Sequence, residues 1–366
     1  MIKKIVSSCI AGFNELSRIH SMQVMNKRFQ RSVLKFDVPD VSDSEFDEIL
    51  TYYKNKTHRT LRLSRNFYAF MKYMNPSGEW ENKRYPLYQY VSESVHYANM
   101  IRTLNPIEYA KALSDKGMYG FLFQGYNRPY EYLRKCNGFL LDNENRQCAI
   151  ENCILNILSD KEPVIFKQST ETSGGHGVAI VRDYSTQSLE NLINSWGNNF
   201  VVQKLVKQSP QISALNESSL NTFRIYTLCL NNSISVVART IRVGHPGCDV
   251  DNVSQGGALF GVTKNGFIME GFDYKSVQLK NAPSGLSITD MKINHYERID
   301  DFVISLHSRI PVCAFAAWDV ALDDNDNPVL IEVNLQHAGI NMIQMINGPI
   351  FKERFDEVMD FCFEKK

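Results

Sequence analysis

Near the end of the chain, residues 312–339 read VCAFAAWDVALDDNDNPVLIEVNLQHAG, two apolar runs (313–322 and 328–333) around the polar turn 323–327. This is the pattern of a β-hairpin, with a five-residue loop that fixes strand register less firmly than a two-residue turn. Asp319 lies in the first run, Glu332 in the second, and Asn334 two residues further on. In an extended strand residues two apart point the same way, so Glu332 and Asn334 share a face, and the hairpin brings Asp319 up beside them. Three oxygen ligands set in apolar strands are costly to bury unless something partners them, and a hard divalent cation would do so. Polar groups at loop ends or on a sheet surface have the same spacing, and on spacing alone both readings stand.

A chain of 366 residues can bury a substantial core and is long enough for two or three domains. Its 40 basic and 40 acidic residues cancel, which argues against a nucleic-acid binder or a polybasic membrane anchor. With 17 tyrosines and 21 phenylalanines, disorder is not expected. The eight cysteines are scattered without a CxxC pair, so free thiols in a reducing compartment are expected rather than disulfides or a zinc site. The opening MIKKIVSSCIAGFNEL lacks a long hydrophobic stretch and a small-residue cleavage site. Neither a signal peptide nor a transmembrane segment is expected, and the protein reads as cytoplasmic, with peripheral membrane contact through this segment left open.

Residues 1–104 are mainly helical in pattern. Ser42 and Glu45 have the spacing of a capping box, in which each side chain answers the other's free backbone N–H. Lys116 follows another helical stretch, where most lysines are solvated. Strand 163–168 carries Lys167 and runs into STETSGGHGV, residues 169–178. Such a loop can wrap backbone N–H groups around phosphate, though it is neither a P-loop nor GxGxxG, and a plain hairpin turn has the same composition. His176 within it reads as a loop residue rather than a base. Strand 199–206 carries Gln203, Lys204 and Val206. FRIYTLCL and ISVVARTIRVG alternate as paired strands and carry Arg224, Arg239 and Arg242, either solvated or clustered as a clamp for a phosphoryl group or carboxylate. The loop 249–257, DVDNVSQGG with its leading Asp249, looks like a ligand loop. Helices are expected over 150–158 and 296–309, with an amphipathic C-terminal helix after 348.

Taken in order, ALSDKGMYG, VIFKQSTETSGGHGV, FVVQKLV, SLNTFRIYTL, VDNVSQGG and WDVALDDNDNPVLIEVNLQHAG resemble the ATP-grasp superfamily, and within it the branch associated with sugar transfer and polysaccharide biosynthesis. The core resemblance spans about residues 105–350. It implies an α+β, ATP-grasp fold in which two α+β subdomains sandwich ATP, behind a mainly helical N-terminal extension. The implied divisions are 1–104, a pre-ATP-grasp region 105–160, a lid subdomain 161–207, and a catalytic subdomain 208–366 with the metal hairpin and C-terminal helix.

Carried over residue by residue, the resemblance implies that Lys116 and Lys167 meet ATP and that Ser173, Gly174, Gly175 and Gly177 form a phosphate lid. Gln203, Lys204 and Val206 would line the adenine end, partly through backbone atoms. Asp319, Glu332 and Asn334 would hold one or two Mg²⁺ ions, and Arg224, Arg239, Arg242 and Lys167 would be the catalytic cations. The implied reaction is ATP-dependent joining of a carboxylate-bearing molecule or sugar to an amine or hydroxyl acceptor through an acyl phosphate. The alternatives are a sugar or metabolite kinase and a non-catalytic ATP-binding scaffold associated with glycan-synthesis machinery. Two departures stand out. Amino-acid ligases of the superfamily carry an arginine where this chain has Ala317, and Leu335-Gln336-His337-Ala338-Gly339 replaces a small-residue/Pro-Gly type turn. His337 has either a substrate-facing or a structural role.

Overall fold

The computed structural model describes residues 36–364 except 76, 81, 171–176, 274 and 337, together with His20, Gln23, Val24 and Lys27 ahead of them. The chain divides into two compact units, Met1–Ile107 with Gln336–Lys366, and Glu108–Leu335.

The first unit is helical. Helix α1 (Asp43–Thr57) starts where its capping box was expected, with Ser42 and Glu45 satisfying one another's N–H groups. It is followed by α2 (Arg65–Met74), whose Phe67, Tyr68, Phe70 and Met71 are buried. The C-terminal helix Phe355–Phe363 groups with this unit rather than with the segment 208–335 that precedes it in sequence. Tyr52 of α1 stacks on Phe355 at 5.5 Å and donates to Asp356 at 2.6 Å, and Lys56 pairs with Asp360. Among the described residues no helix is long and apolar enough to cross a membrane.

The second unit contains two antiparallel sheets. The smaller consists of β1 (Glu131–Cys136), β2 (Phe139–Leu141), β3 (Val164–Gln168), β4 (Val178–Val181) and β5 (Asn199–Lys204), in the order β2-β1-β5-β3-β4. Val164, Phe166, Phe200 and Val202 face a core completed by Ile154 and Ile157 of α3 (Ile150–Asp160) and by Leu189 and Ile193 of α4 (Thr186–Ser195). The alternate residues Ile165, Lys167 and Gln203 therefore lie on the opposite face, as strand alternation requires.

The larger sheet runs β10-β9-β8-β7-β6-β11-β12, built from β6 (Thr222–Leu230), β7 (Ser233–Val243), β8 (Ala258–Val262), β9 (Ile268–Asp273), β10 (Gln278–Leu279), β11 (Phe315–Leu322) and β12 (Pro328–Asn334). The β6–β7 turn holds Asn231 and Asn232 at φ 48° and 58°, the left-handed pair that matches the twist of a tight hairpin. Phe223, Ile225, Trp318 and Val320 pack into one core with Ile299, Val303 and Leu306 of α5 (Glu297–His307). Residues offset by one, among them Arg224 and Asp319, form the other face.

Candidate functional site

The β11–β12 hairpin pairs Asp319 directly with Glu332 and Ala317 with Asn334. Its register then slips, Val320 facing Leu330, so Ile331 is the extra residue of a bulge. Leu330 and Val333 belong to the core while Ile331 and Glu332 between them are only half-buried. The bulge thus turns two consecutive residues, one apolar and one acidic, away from the core. Asn334 donates to Asp319 Oδ2 at 3.4 Å. Two carboxylates and an amide oxygen on one face are a donor set of the kind a hard divalent cation takes, and they can hold Mg²⁺.

Cations surround that set. Arg224, opposite Asp319 on β6, grips it with two parallel bonds, Nε to Oδ1 at 2.8 Å and Nη2 to Oδ2 at 2.7 Å. Arg242 reaches Asp319 Oδ2 at 3.1 Å from β7. Lys116, at the start of a 3₁₀ turn capped by Asp115, is almost buried and lies 2.7 Å from Glu332 Oε1. Burial opposes ionisation of Asp319, but Arg224 and Arg242 outweigh it and hold the carboxyl below its usual range. Lys167, also nearly buried, has no ion-pair partner among the described residues. Burial first, and the charge of Lys116 second, lower its pKa to about 8.

Arg239 does not join them. It pairs with Ile225 in the ladder, one residue out of phase with Arg224, and so projects from the opposite face. There it forms a fork with Asp300 of α5, Nη2 to Oδ2 at 2.6 Å and Nε to Oδ2 at 2.9 Å. The expected three-arginine cluster is therefore a pair, because strand alternation divides residues an odd number apart.

Beside these groups a cleft of about 270 Å³ is lined by Lys167, Gln203, Lys204 and Val206, with Ile165, Ile180 and Ile331 supplying apolar wall. Four of the expected residues thus meet in one concavity. The ammonium of Lys204 turns away to Asp160 at 3.3 Å, leaving its backbone at the cleft. Lys167 and Val178 are cross-strand partners where β3 and β4 pair. Gly177 takes φ 68°, a left-handed conformation suited to glycine, and its carbonyl accepts from Gln168 N–H at 2.8 Å. Ser173, Gly174, Gly175, His176 and His337 lie outside the described residues.

The loop 249–257 contributes Asp251, a residue that motif spacing did not single out. Buried, it accepts from Thr222 N–H at 3.1 Å and from the Thr222 hydroxyl, and lies 3.3 Å from Arg242. Arg242 in turn donates to Thr222 Oγ1 at 2.8 Å. Asp251, Thr222 and Arg242 thus form a chain that ends on Asp319.

The sequence matches the family model described as sugar-transfer associated ATP-grasp over residues 96–360. No curated protein matches it. Among solved structures, biotin carboxylase from Campylobacter jejuni is similar with a TM-score of 0.46 at 12% identity, over 72% of this chain and 49% of that one. The biotin carboxylase domain of 2-oxoglutarate carboxylase from Hydrogenobacter thermophilus gives 0.43 at 12%, over 71% and 47%. L-amino acid ligase from Bacillus licheniformis gives 0.40 at 13%, over 69% and 48%. The chain spans about half the length of these structures.

Proposed function

Because the chain belongs to the sugar-transfer associated ATP-grasp family, we propose that it is an ATP-dependent, magnesium-requiring ligase joining a carboxylate to an amine or hydroxyl, in the modification of a surface glycan or its precursor. The observation that carries this reading is the meeting of four cations, Lys116, Lys167, Arg224 and Arg242, with the Asp319–Glu332–Asn334 hairpin next to a cleft lined by Gln203, Lys204 and Val206.

An oxygen of the substrate carboxylate attacks the γ-phosphorus of ATP, ADP leaves, and the resulting acyl phosphate is then attacked at its carbonyl carbon by the acceptor, releasing phosphate. No protein nucleophile is required; the protein's task is to position the reactants and counter charge on the transferring group. Lys167, with no ion-pair partner among the described residues, would meet phosphate oxygens, while Arg224 and Arg242, both paired with Asp319, would counter charge on a γ-phosphoryl group held at the hairpin. Asp319, Glu332 and Asn334 would hold magnesium, which when bound neutralises charge on the phosphates as a Lewis acid. Ala317 supplies no charge, so the two sheet arginines take over the oxyanion-stabilising part. ATP as substrate and a glycan precursor as acceptor together favour a cytoplasmic setting at the synthesis machinery.

Hydroxylamine trapping tests the chemistry. With ATP, Mg²⁺ and a panel of amino acids and uronic acids, a hydroxamate should form in step with ADP for one carboxylate. ADP formation without hydroxamate would point instead to phosphoryl transfer, and nucleotide binding without ADP formation to a scaffold.

A further inference from the structure

The charges next to the β11–β12 hairpin do not by themselves invite a cation. Asp319 and Glu332 supply two negative charges, while Arg224, Arg242 and Lys116, each within 3.1 Å of one of them, supply three positive ones. A divalent ion would meet an excess of like charge, which opposes its approach. The carboxylate that restores the balance is Asp251. Arg242 Nη2 lies 3.3 Å from Asp251 Oδ1 and 3.1 Å from Asp319 Oδ2, so one nitrogen is divided almost equally between two carboxylates. Thr222, the cross-strand partner of Arg242, fixes that division. Its N–H, at 3.1 Å, and its hydroxyl both donate to Asp251 Oδ2. The hydroxyl lone pairs are left to accept from Arg242 Nε at 3.2 Å and Nη2 at 2.8 Å. Burial pushes the Asp251 carboxyl up from its usual range, and Arg242 and the Thr222 hydroxyl pull it back.

We propose that Asp251 is a positioning residue for the metal site. By sharing Arg242 it holds that guanidinium partly off Asp319 and balances the charge around the hairpin, so that a divalent cation is admitted. This rests on the metal reading of the hairpin and adds to it a group outside the donor set that makes the set usable. With Asp251 neutral, Arg242 turns its charge to Asp319 alone and competes with the ion for it. Arg224 keeps its two bonds to Asp319 either way, since neither depends on Asp251.

The test is titration of Mn²⁺ into the full chain, alone and with ADP, following the binding event that Asp319→Asn abolishes. Asp251→Asn keeps an oxygen for the two Thr222 donors but removes the charge beside Arg242, and Mn²⁺ should bind roughly fivefold or more weakly. Adding Arg242→Gln removes the guanidinium that the lost charge releases, and the double variant should return to within about twofold of wild type. A loss that Arg242→Gln does not recover marks Asp251 as merely structural, and an unchanged Mn²⁺ affinity in Asp251→Asn likewise overturns the proposal. Should Asp251→Asn fail to fold, Thr222→Val removes the hydroxyl that ties Arg242 to Asp251 and should weaken Mn²⁺ binding in the same direction, while Thr222→Ser keeps it and should match wild type. Equal affinity in Thr222→Val, Thr222→Ser and wild type overturns the role of Asp251. Mn²⁺ binding that is absent from wild type, or unaltered in Asp319→Asn, removes the metal reading itself, and this inference with it.

Discussion

Arg224 grips Asp319 with two nitrogens at once, at 2.8 and 2.7 Å, so a divalent cation held at the candidate metal hairpin would share this carboxylate with the protein's own guanidinium. A metal drawn to Asp319 therefore works against the charge of Arg224. Arg224→Gln should raise the affinity for Mn²⁺ in the absence of nucleotide by roughly fivefold or more. Titration calorimetry reads this directly, and weaker Mn²⁺ binding in the variant would contradict competition at this carboxylate.

The face taken by each arginine yields a contrast. Arg239 is bound to Asp300 of α5, away from Asp319. Arg239→Leu leaves a nearly buried carboxylate without its partner and should cost about 3–5 kcal/mol of stability in denaturant unfolding. Its affinity for Mg²⁺-ADP should stay within twofold of wild type. A selective loss of nucleotide binding would return Arg239 to the site.

Lys167 gives nucleotide binding a pH signature. Burial and Lys116 bring its pKa down to about 8, and its protonated form is the one that would meet phosphate. Affinity for Mg²⁺-ADP should be flat below pH 7 and fall by about tenfold per pH unit once pH passes 8. Lys167→Met should bind more weakly and lose the slope between pH 7 and 9.

On the far side of the larger sheet, the Trp318 indole N–H donates to Thr227 Oγ1 at 2.7 Å, and that hydroxyl bonds His307 Nδ1 at 2.7 Å. His307 Nε2–H donates to the Cys313 carbonyl, so the chain is complete with a neutral imidazole. Burial holds the pKa down at about 4. A histidine with a depressed folded pKa contributes stability that is fully present above the unfolded value near 6.5 and lost as pH falls from there toward 4. The loss should approach about 3 kcal/mol at pH 4, and His307→Gln should remove this component of the slope.

Gly120 is required by the packing of Arg134. A Cβ there would sit 1.6 Å from Arg134 Nη1, and Arg134 is fully buried and held by Glu131 and Asn145. Gly120→Ala should destabilise by about 1–3 kcal/mol in chemical denaturation.

Local signals made much of this legible before the structure. The Ser42–Glu45 cap, the β6–β7 hairpin and the pairing of Asp319 with Glu332 follow from alternation, turn residues and capping chemistry, which act over a few residues. The errors and omissions have a different origin. Proximity in sequence groups Arg239 with Arg224 and Arg242, although counting residues along β7 separates it from Arg242 by three and hence by face. Ile331 reaches the cleft only because of a bulge that an alternating pattern does not announce. Asp251 acquires its place from Thr222 and Arg242, partners that lie 29 and 9 positions away on other elements. The C-terminal helix groups with α1 through Tyr52, Lys56, Phe355 and Asp360, long-range contacts without a local signature.

The β11–β12 hairpin is proposed to hold magnesium for a nucleotide bound in the adjoining cleft. The most direct measurement of this is calorimetric titration of ADP into wild type and Asp319→Asn, each with and without Mg²⁺. Wild type should bind ADP at least about tenfold more tightly with Mg²⁺, and Asp319→Asn should show no such gain. An equal magnesium enhancement in both proteins would contradict the assignment of the hairpin as the metal site.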